Sequence, residues 1–211
     1  MQTGVRLGLK VLKRKFFRFD TLRWLLSGFK SPSPQWVKTK LLLSQMIPGA
    51  TWLETGTYLG DTTIKLASKS DFVITIEPSK DIFDFASWRL RQKKNVRLLL
   101  GTSEELFYKS LLDVENRSLN IWLDGHYSGD VTFKGAYVTP IVSELQEINK
   151  ASDKFDRIKV FIDDIRCFYH DVGEENDYPG LQFLIDWARE SGFNWHIEQD
   201  IFIAESISWS K

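Results

Sequence analysis

The segment Thr51-Trp52-Leu53-Glu54-Thr55-Gly56-Thr57-Tyr58-Leu59-Gly60-Asp61-Thr62-Thr63 constrains this chain most. A short apolar run ends at Glu54, two glycines frame a turn, and Asp61-Thr62-Thr63 opens a helix. Gly56 frees the backbone to turn and to approach a ligand closely. In an open α/β sheet such a corner faces the crevice at the carboxyl ends of the strands. The spacing is Gly-x-x-x-Gly, not Gly-x-Gly-x-x-Gly. Tyr58 stands where a middle glycine would admit pyrophosphate, so a dinucleotide is disfavoured.

The remaining chain repeats this unit. Short apolar runs at 51–54, 72–77, 96–100, 119–124 and 158–163 predict strands buried on both faces. Helical patterns at 35–46, 61–68, 79–92, 103–112, 139–150 and 180–191 precede, separate and follow them. That alternation predicts an α/β, Rossmann-like, doubly wound sheet. Runs at 194–198 and 201–205 are separated only by Gln199-Asp200, so they predict an antiparallel hairpin. The expected sheet therefore has seven strands, five of them parallel and closed by the C-terminal hairpin.

Length supports one such domain, residues 35–211, carrying an N-terminal helical extension over 1–34. Residues 1–40 hold ten Lys or Arg against one acid, Asp20, a net +9; the remainder carries −9. A basic amphipathic arm of this kind lies on an anionic membrane surface, packs on its own domain, or joins a second copy. Basic residues interrupt its apolar stretches, so no secretion signal or spanning segment is expected. The single cysteine, Cys167, precludes an internal disulfide and suits a reducing compartment. The expected location is cytoplasmic, with peripheral membrane contact through residues 1–30 as one use of the arm.

Glu77 ends the second strand, 21 positions after Gly56. An acid there accepts hydrogen bonds from both ribose hydroxyls of a nucleoside. Gly101-Thr102-Ser103 ends the third strand, where Ser103 caps the next helix or contacts a base. Glu54-x-Gly56-x-x-x-Gly60 and Ile76-Glu77-Pro78 resemble the first and second motifs of class I S-adenosylmethionine-dependent methyltransferases. With the closing hairpin, the resemblance spans residues 50–205. It implies S-adenosylmethionine as cofactor, held by Glu54, Gly56, Thr57, Gly60, Asp61, Thr62, Glu77, Pro78, Ser103 and Asp124.

The fourth strand ends in Asp124-Gly125-His126 and the fifth in Asp163-Asp164. Three carboxylates at one sheet edge repel unless one is protonated or a cation joins them. Oxygen ligands without thiolate point to Mg²⁺ or another divalent cation at Asp124, Asp163 and Asp164. Adjacent strand residues face opposite ways, so Asp163 and Asp164 share an ion only if the chain has left the strand. The alternative has one aspartate facing the site and the other capping a loop. The pattern resembles metal-dependent O-methyltransferases of the macrocin and catechol types, nearer the former because no lysine closely follows Asp124. His126, in a glycine-bounded loop, is the candidate base, or alternatively a ligand or a structural residue. Loops at 127–138 and 167–179 would form the acceptor pocket.

The expected activity is S-adenosylmethionine-dependent O-methylation of a small-molecule or sugar hydroxyl, assisted by a divalent ion. Asp124 and His126 are its expected catalytic residues. The rival is a non-catalytic scaffold on the same fold, docked to a membrane or partner by its arm. A nicotinamide-dependent oxidoreductase is disfavoured by the glycine spacing. The −9 charge of the folded part disfavours a nucleic-acid substrate.

Overall fold

The computed structural model describes residues 18–125, 139–169 and 178–206. Two helices, α1 (Arg18–Leu26) and α2 (Gln35–Gln45), precede the sheet. The alternating region runs β1 (Thr51–Thr55), α3 (Asp61–Leu66), β2 (Val73–Glu77), α4 (Lys80–Leu90), β3 (Val96–Leu100), α5 (Ser103–Asp113), β4 (Ser118–Leu123), α6 (Ile141–Ala151) and β5 (Arg157–Ile162). Helix α7 (Leu181–Glu190) leads into β6 (Phe193–Glu198) and β7 (Ile201–Ser206).

The seven strands lie in the order β3-β2-β1-β4-β5-β7-β6. The first five are parallel; β7 runs antiparallel to β5 and pairs with β6, giving the expected closing hairpin. Gln199 and Asp200 form its two-residue turn with φ of 51° and 67°. Positive φ at both central positions matches the right-handed twist of the flanking strands.

The side-chain period of two splits β1 between both sheet faces. Leu53 joins Ile74, Ile121 and Val160 in a core completed by Phe107 of α5, Leu145 of α6 and Leu184 of α7. Trp52 joins Trp122 and Phe161 on the other face, beneath Leu41 and Leu42 of α2 and Leu66 of α3. Trp52 and Phe161 stack with ring centroids 5.6 Å apart. Central strands buried on both faces need continuous apolar runs, which is why these segments could be recognised without alternation.

Helix α2 is anchored at its far end. The buried Asn120 side chain accepts from the Ile47 N–H at 2.9 Å and donates to the Ile47 carbonyl at 3.0 Å. Ahead of α2, Ser33 donates to Gln199 Oε1 at 2.9 Å, tying the expected arm boundary to the hairpin turn. In α1, Leu22, Leu25 and Leu26 are exposed, as is Phe29 after it. Thr21 Oγ1 accepts from Trp36 Nε1 at 3.1 Å. The rest of the basic arm lies outside the described residues. None of the described helices is long and apolar enough to cross a membrane.

Candidate functional site

Strand order reverses between β1 and β4, because β2 and β3 extend the sheet one way and β4 and β5 the other. The crevice at the carboxyl ends of these two strands is the expected ligand position. Gly56 leaves β1 there with φ of 83°. A Cβ at Gly56 would stand 2.3 Å from the Asp124 carbonyl oxygen, so only glycine lets the two strand ends meet.

A cavity of about 430 Å³ opens at this point. Its floor is Gly56, Thr57, Tyr58 and Leu59, with Asp61 and Thr62 of α3. Glu77 and Pro78 close one end; Asp124, Gly125, Asp163 and Asp164 close the other. Pro32, Ser33, Gln35 and Lys38, from the N-terminal side of the domain, cover it. Gln35 Nε2 donates to Thr62 Oγ1 at 3.1 Å and so joins α2 to α3 across the cover.

Glu77 organises the β2 end of the cavity. Its Oε2 accepts the Tyr58 N–H at 2.8 Å and its Oε1 the Ser79 N–H at 2.9 Å. Burial pushes its carboxyl above the usual range, and those two N–H groups oppose the shift. Tyr58, in place of a glycine, adopts φ of 47°, and its N–H is thereby aimed at Glu77. Arg89 of α4 clamps the same loop: it bonds the Leu59 carbonyl and reaches Asp61 Oδ1 at 2.8 Å.

Three of the expected cofactor residues stand apart from the cavity lining. Strand β1 continues one residue past Glu54, so Glu54 points into the layer under α3, fully buried. Its Oε2 accepts from Thr63 at 2.5 Å and from Thr75 at 2.7 Å. Thr75 in turn contacts Thr57 Oγ1 at 2.6 Å, so Glu54 supports the loop from beneath. Burial pushes Glu54 up to about 7 against those hydroxyl bonds. Gly60 is the left-handed residue that starts α3, with φ of 76°. Ser103 is buried as the first residue of α5; the cap is Thr102, in a reciprocal capping box with Glu105.

At the opposite end, β5 stops at Ile162 and Asp164 takes a left-handed conformation, φ 54° and ψ 42°. That turn brings two adjacent carboxylates onto one point, which continuing strand geometry would prevent. The point is occupied by Lys38. Its Nζ lies 2.5 Å from Asp163 Oδ1 and 2.7 Å from Asp164 Oδ1. Asp200, from the hairpin turn, is 3.6 Å away. Arg166 bonds both Asp164 and Asp200. Burial alone would lower the Lys38 pKa, but Asp163 and Asp164 outweigh it and hold the ammonium charged. Burial, reinforced by Asp124, raises the Asp163 carboxyl, with Lys38 opposing.

Repulsion among the strand-end acids demanded a cation, and here a side chain provides one. Among the described residues no group of three or more His, Cys, Asp or Glu is arranged to hold a metal ion. The expected divalent site at Asp124, Asp163 and Asp164 does not fit the cluster as it stands, because the Lys38 ammonium holds the shared position. Lys38, Asp200 and Arg166 were not singled out from sequence. One signal was present: Lys38 shares a helix face with Leu41 and Leu42, both buried, and a lysine on an apolar face needs a buried partner.

His126 and the loop 126–138 lie outside the described residues, as does His170. His196 is exposed on the edge strand β6. Phe168 and Tyr178 pack edge to face at 5.1 Å, so these two aromatics pack on each other. Burial raises the Cys167 thiol, consistent with an inert cysteine.

No protein-family model and no curated protein matches this chain. Solved structures do match. A candidate rRNA methylase of Clostridium thermocellum superposes with a TM-score of 0.52 at 13% identity, covering 81% of this chain and 95% of that one. A methyltransferase of Geobacter sulfurreducens gives 0.52 at 13% identity, covering 83% and 78%. A candidate methyltransferase of Streptococcus mutans, solved with SAH, gives 0.51 at 14% identity, covering 82% and 96%. The chain has the Rossmann-like methyltransferase fold. In this methyltransferase fold the cavity lies where β1 and β4 diverge, with Glu77 at one end and the Lys38 cluster at the other.

Proposed function

We propose that this chain is an S-adenosylmethionine-dependent O-methyltransferase acting on a hydroxyl of a small molecule or sugar. The observation that carries the reading is the charge of the cavity. Among the described residues Asp61, Glu77, Asp124, Asp163 and Asp164 line it with one cation, Lys38, while Arg89 and Arg166 pair with Asp61 and Asp164 from outside the lining, so acids remain in excess. Such a lining attracts a cationic sulfonium ligand and repels phosphates. A dinucleotide and a nucleic-acid backbone are both disfavoured by the same surface.

The volume suits a small ligand, since binding cavities span roughly 300–1,000 Å³. Each Glu77 oxygen already accepts one N–H, and a carboxylate has lone pairs left for a ribose diol. Gly56 keeps side-chain bulk off the approach to the switch point. S-adenosylmethionine supplies a methyl group carried on sulfur. The chain supplies position: the loop 56–62 and Glu77 hold the donor, and Asp124 faces the acceptor end. His126, two residues beyond Asp124, is the side chain we assign to take the acceptor proton. Methyl transfer needs orientation and an ionised oxygen more than covalent help from the protein.

Two measurements test this. Calorimetric titration with S-adenosylmethionine and SAH should show saturable binding. Incubation of labelled donor with a panel of polyhydroxylated small molecules and sugars should yield a methyl ether, read by mass spectrometry. Absence of donor binding would sink the reading. Donor binding without transfer across the panel would favour the scaffold alternative.

A further inference from the structure

Among the described residues Lys38 is the one cation of the cavity lining, and methyl transfer as proposed makes no use of it. Its side chain is 4% exposed, and its ammonium faces Asp163, Asp164 and Asp200. The three acids arrive from the end of β5 and from the β6–β7 turn; the lysine arrives from α2, a helix outside the alternating unit. Leu41 and Leu42 on the same helix face are sealed against the sheet, and Asn120 fixes the residue that follows the helix. The ammonium is therefore carried into the cluster by the packing of α2.

We propose that Lys38 is a built-in counter-cation that takes the place of a divalent metal ion at the strand-end acids. It acts as a positioning residue that keeps Asp163 and Asp164 turned toward the acceptor end. The proposal rests on the methyl-transfer reading only for what the cluster faces; the replacement itself rests on geometry. A hard divalent ion shared by Asp163 and Asp164 would stand about 2.0–2.6 Å from both oxygens. Nζ already stands 2.5 and 2.7 Å from them, so ion and ammonium compete for one position. Like charges at such separation repel strongly in a buried setting. Without the ammonium, Asp163 and Asp164 face the vacated position as oxygen donors of the kind hard cations prefer, while Arg166 stays bonded to Asp164 and Asp200.

The test is a Mn²⁺ titration of the full chain, with bound ion read by loss of the free-ion paramagnetic signal and by the unfolding temperature. Wild type should bind no Mn²⁺ that depends on Asp163, and its unfolding temperature should not move. Lys38→Ala should bind one Mn²⁺ per chain and gain unfolding temperature with the ion. Adding Asp163→Asn should abolish that gain, and Lys38→Arg should behave as wild type. A wild-type ion lost in Asp163→Asn overturns the proposal, as does a folded Lys38→Ala that binds no Mn²⁺. If Lys38→Ala does not fold, Lys38→Gln replaces it, and the wild-type titration decides by itself. A parallel titration of wild type with S-adenosylmethionine separates the two readings. Failure there strikes methyl transfer and leaves the counter-cation standing.

Discussion

Lys38 and Asp163 are 125 residues apart in the chain and 2.5 Å apart in space. The contact joins the helix before the sheet to the end of its fifth strand. It neutralises an acid cluster that would otherwise be unstable in a buried position.

Breaking that pair should be costly. Lys38→Met leaves the buried Asp163 carboxyl without its cation, while Arg166 still serves Asp164 and Asp200, and should destabilise the fold by about 3–5 kcal/mol. Lys38→Met combined with Asp163→Asn should recover part of the loss, because less unpaired charge remains. Urea denaturation of the two single variants and the double variant measures the interaction. Strict additivity would show that the pair is not energetically linked.

Glu77→Ala removes the carboxylate that the proposed ribose site depends on. Hydrogen bonds to a charged group contribute about 1.5–3 kcal/mol, so S-adenosylmethionine affinity should fall by about ten- to a hundred-fold. Calorimetry reads the change. Unchanged affinity would move the donor elsewhere in the cavity.

Gly56→Ala and Gly60→Ala should differ sharply, although both glycines have positive φ. At Gly56 the new methyl meets backbone, the Asp124 carbonyl, at 2.3 Å. At Gly60 it meets the Leu90 side chain at 3.6 Å, an ordinary contact. Gly60→Ala should cost about 1 kcal/mol of backbone strain; Gly56→Ala should cost at least about 2 kcal/mol and impair donor binding. Chemical denaturation with parallel donor titrations distinguishes them.

Glu144 makes stability depend on pH. Burial in α6 pushes its carboxyl from 4.5 up to about 8, with the Ser103 side chain opposing and Glu104 and Glu147 adding to the rise. Between those values the folded chain keeps a proton that the unfolded chain releases. This contribution is therefore full below about pH 4.5, falls as pH rises, and levels off above about pH 8. Glu54, pushed to about 7, acts in the same direction. Glu144→Gln cannot ionise and should flatten the decline by up to about 1.4 kcal/mol per pH unit. Urea titrations from about pH 5 to pH 9 check it; parallel slopes for variant and wild type would count against it.

Much of the fold was readable locally. Val96–Leu100 coincides with β3 residue for residue, and the Gln199-Asp200 turn places the hairpin. Both rest on short-range rules, apolar run length and two-residue turn geometry. The corner at Gly56 was readable for the same reason: a glycine between a strand and a helix reports a local backbone demand. Glu54 was misleading because strand ends are uncertain by a residue or more, and here one residue decides between cavity and core. Adjacent Asp163 and Asp164 left open whether they act together, since only the left-handed turn at Asp164 converges them.

The sequence by itself determined the order of elements, the parallel sheet with its hairpin, and the strand ends that carry acids. These follow from periodicity and turn chemistry, which act over a few residues. Only the tertiary structure decided which cation answers those acids. Lys38 reaches them because Leu41 and Leu42 bury α2 against the sheet, and no local pattern encodes where a packed helix delivers its charge.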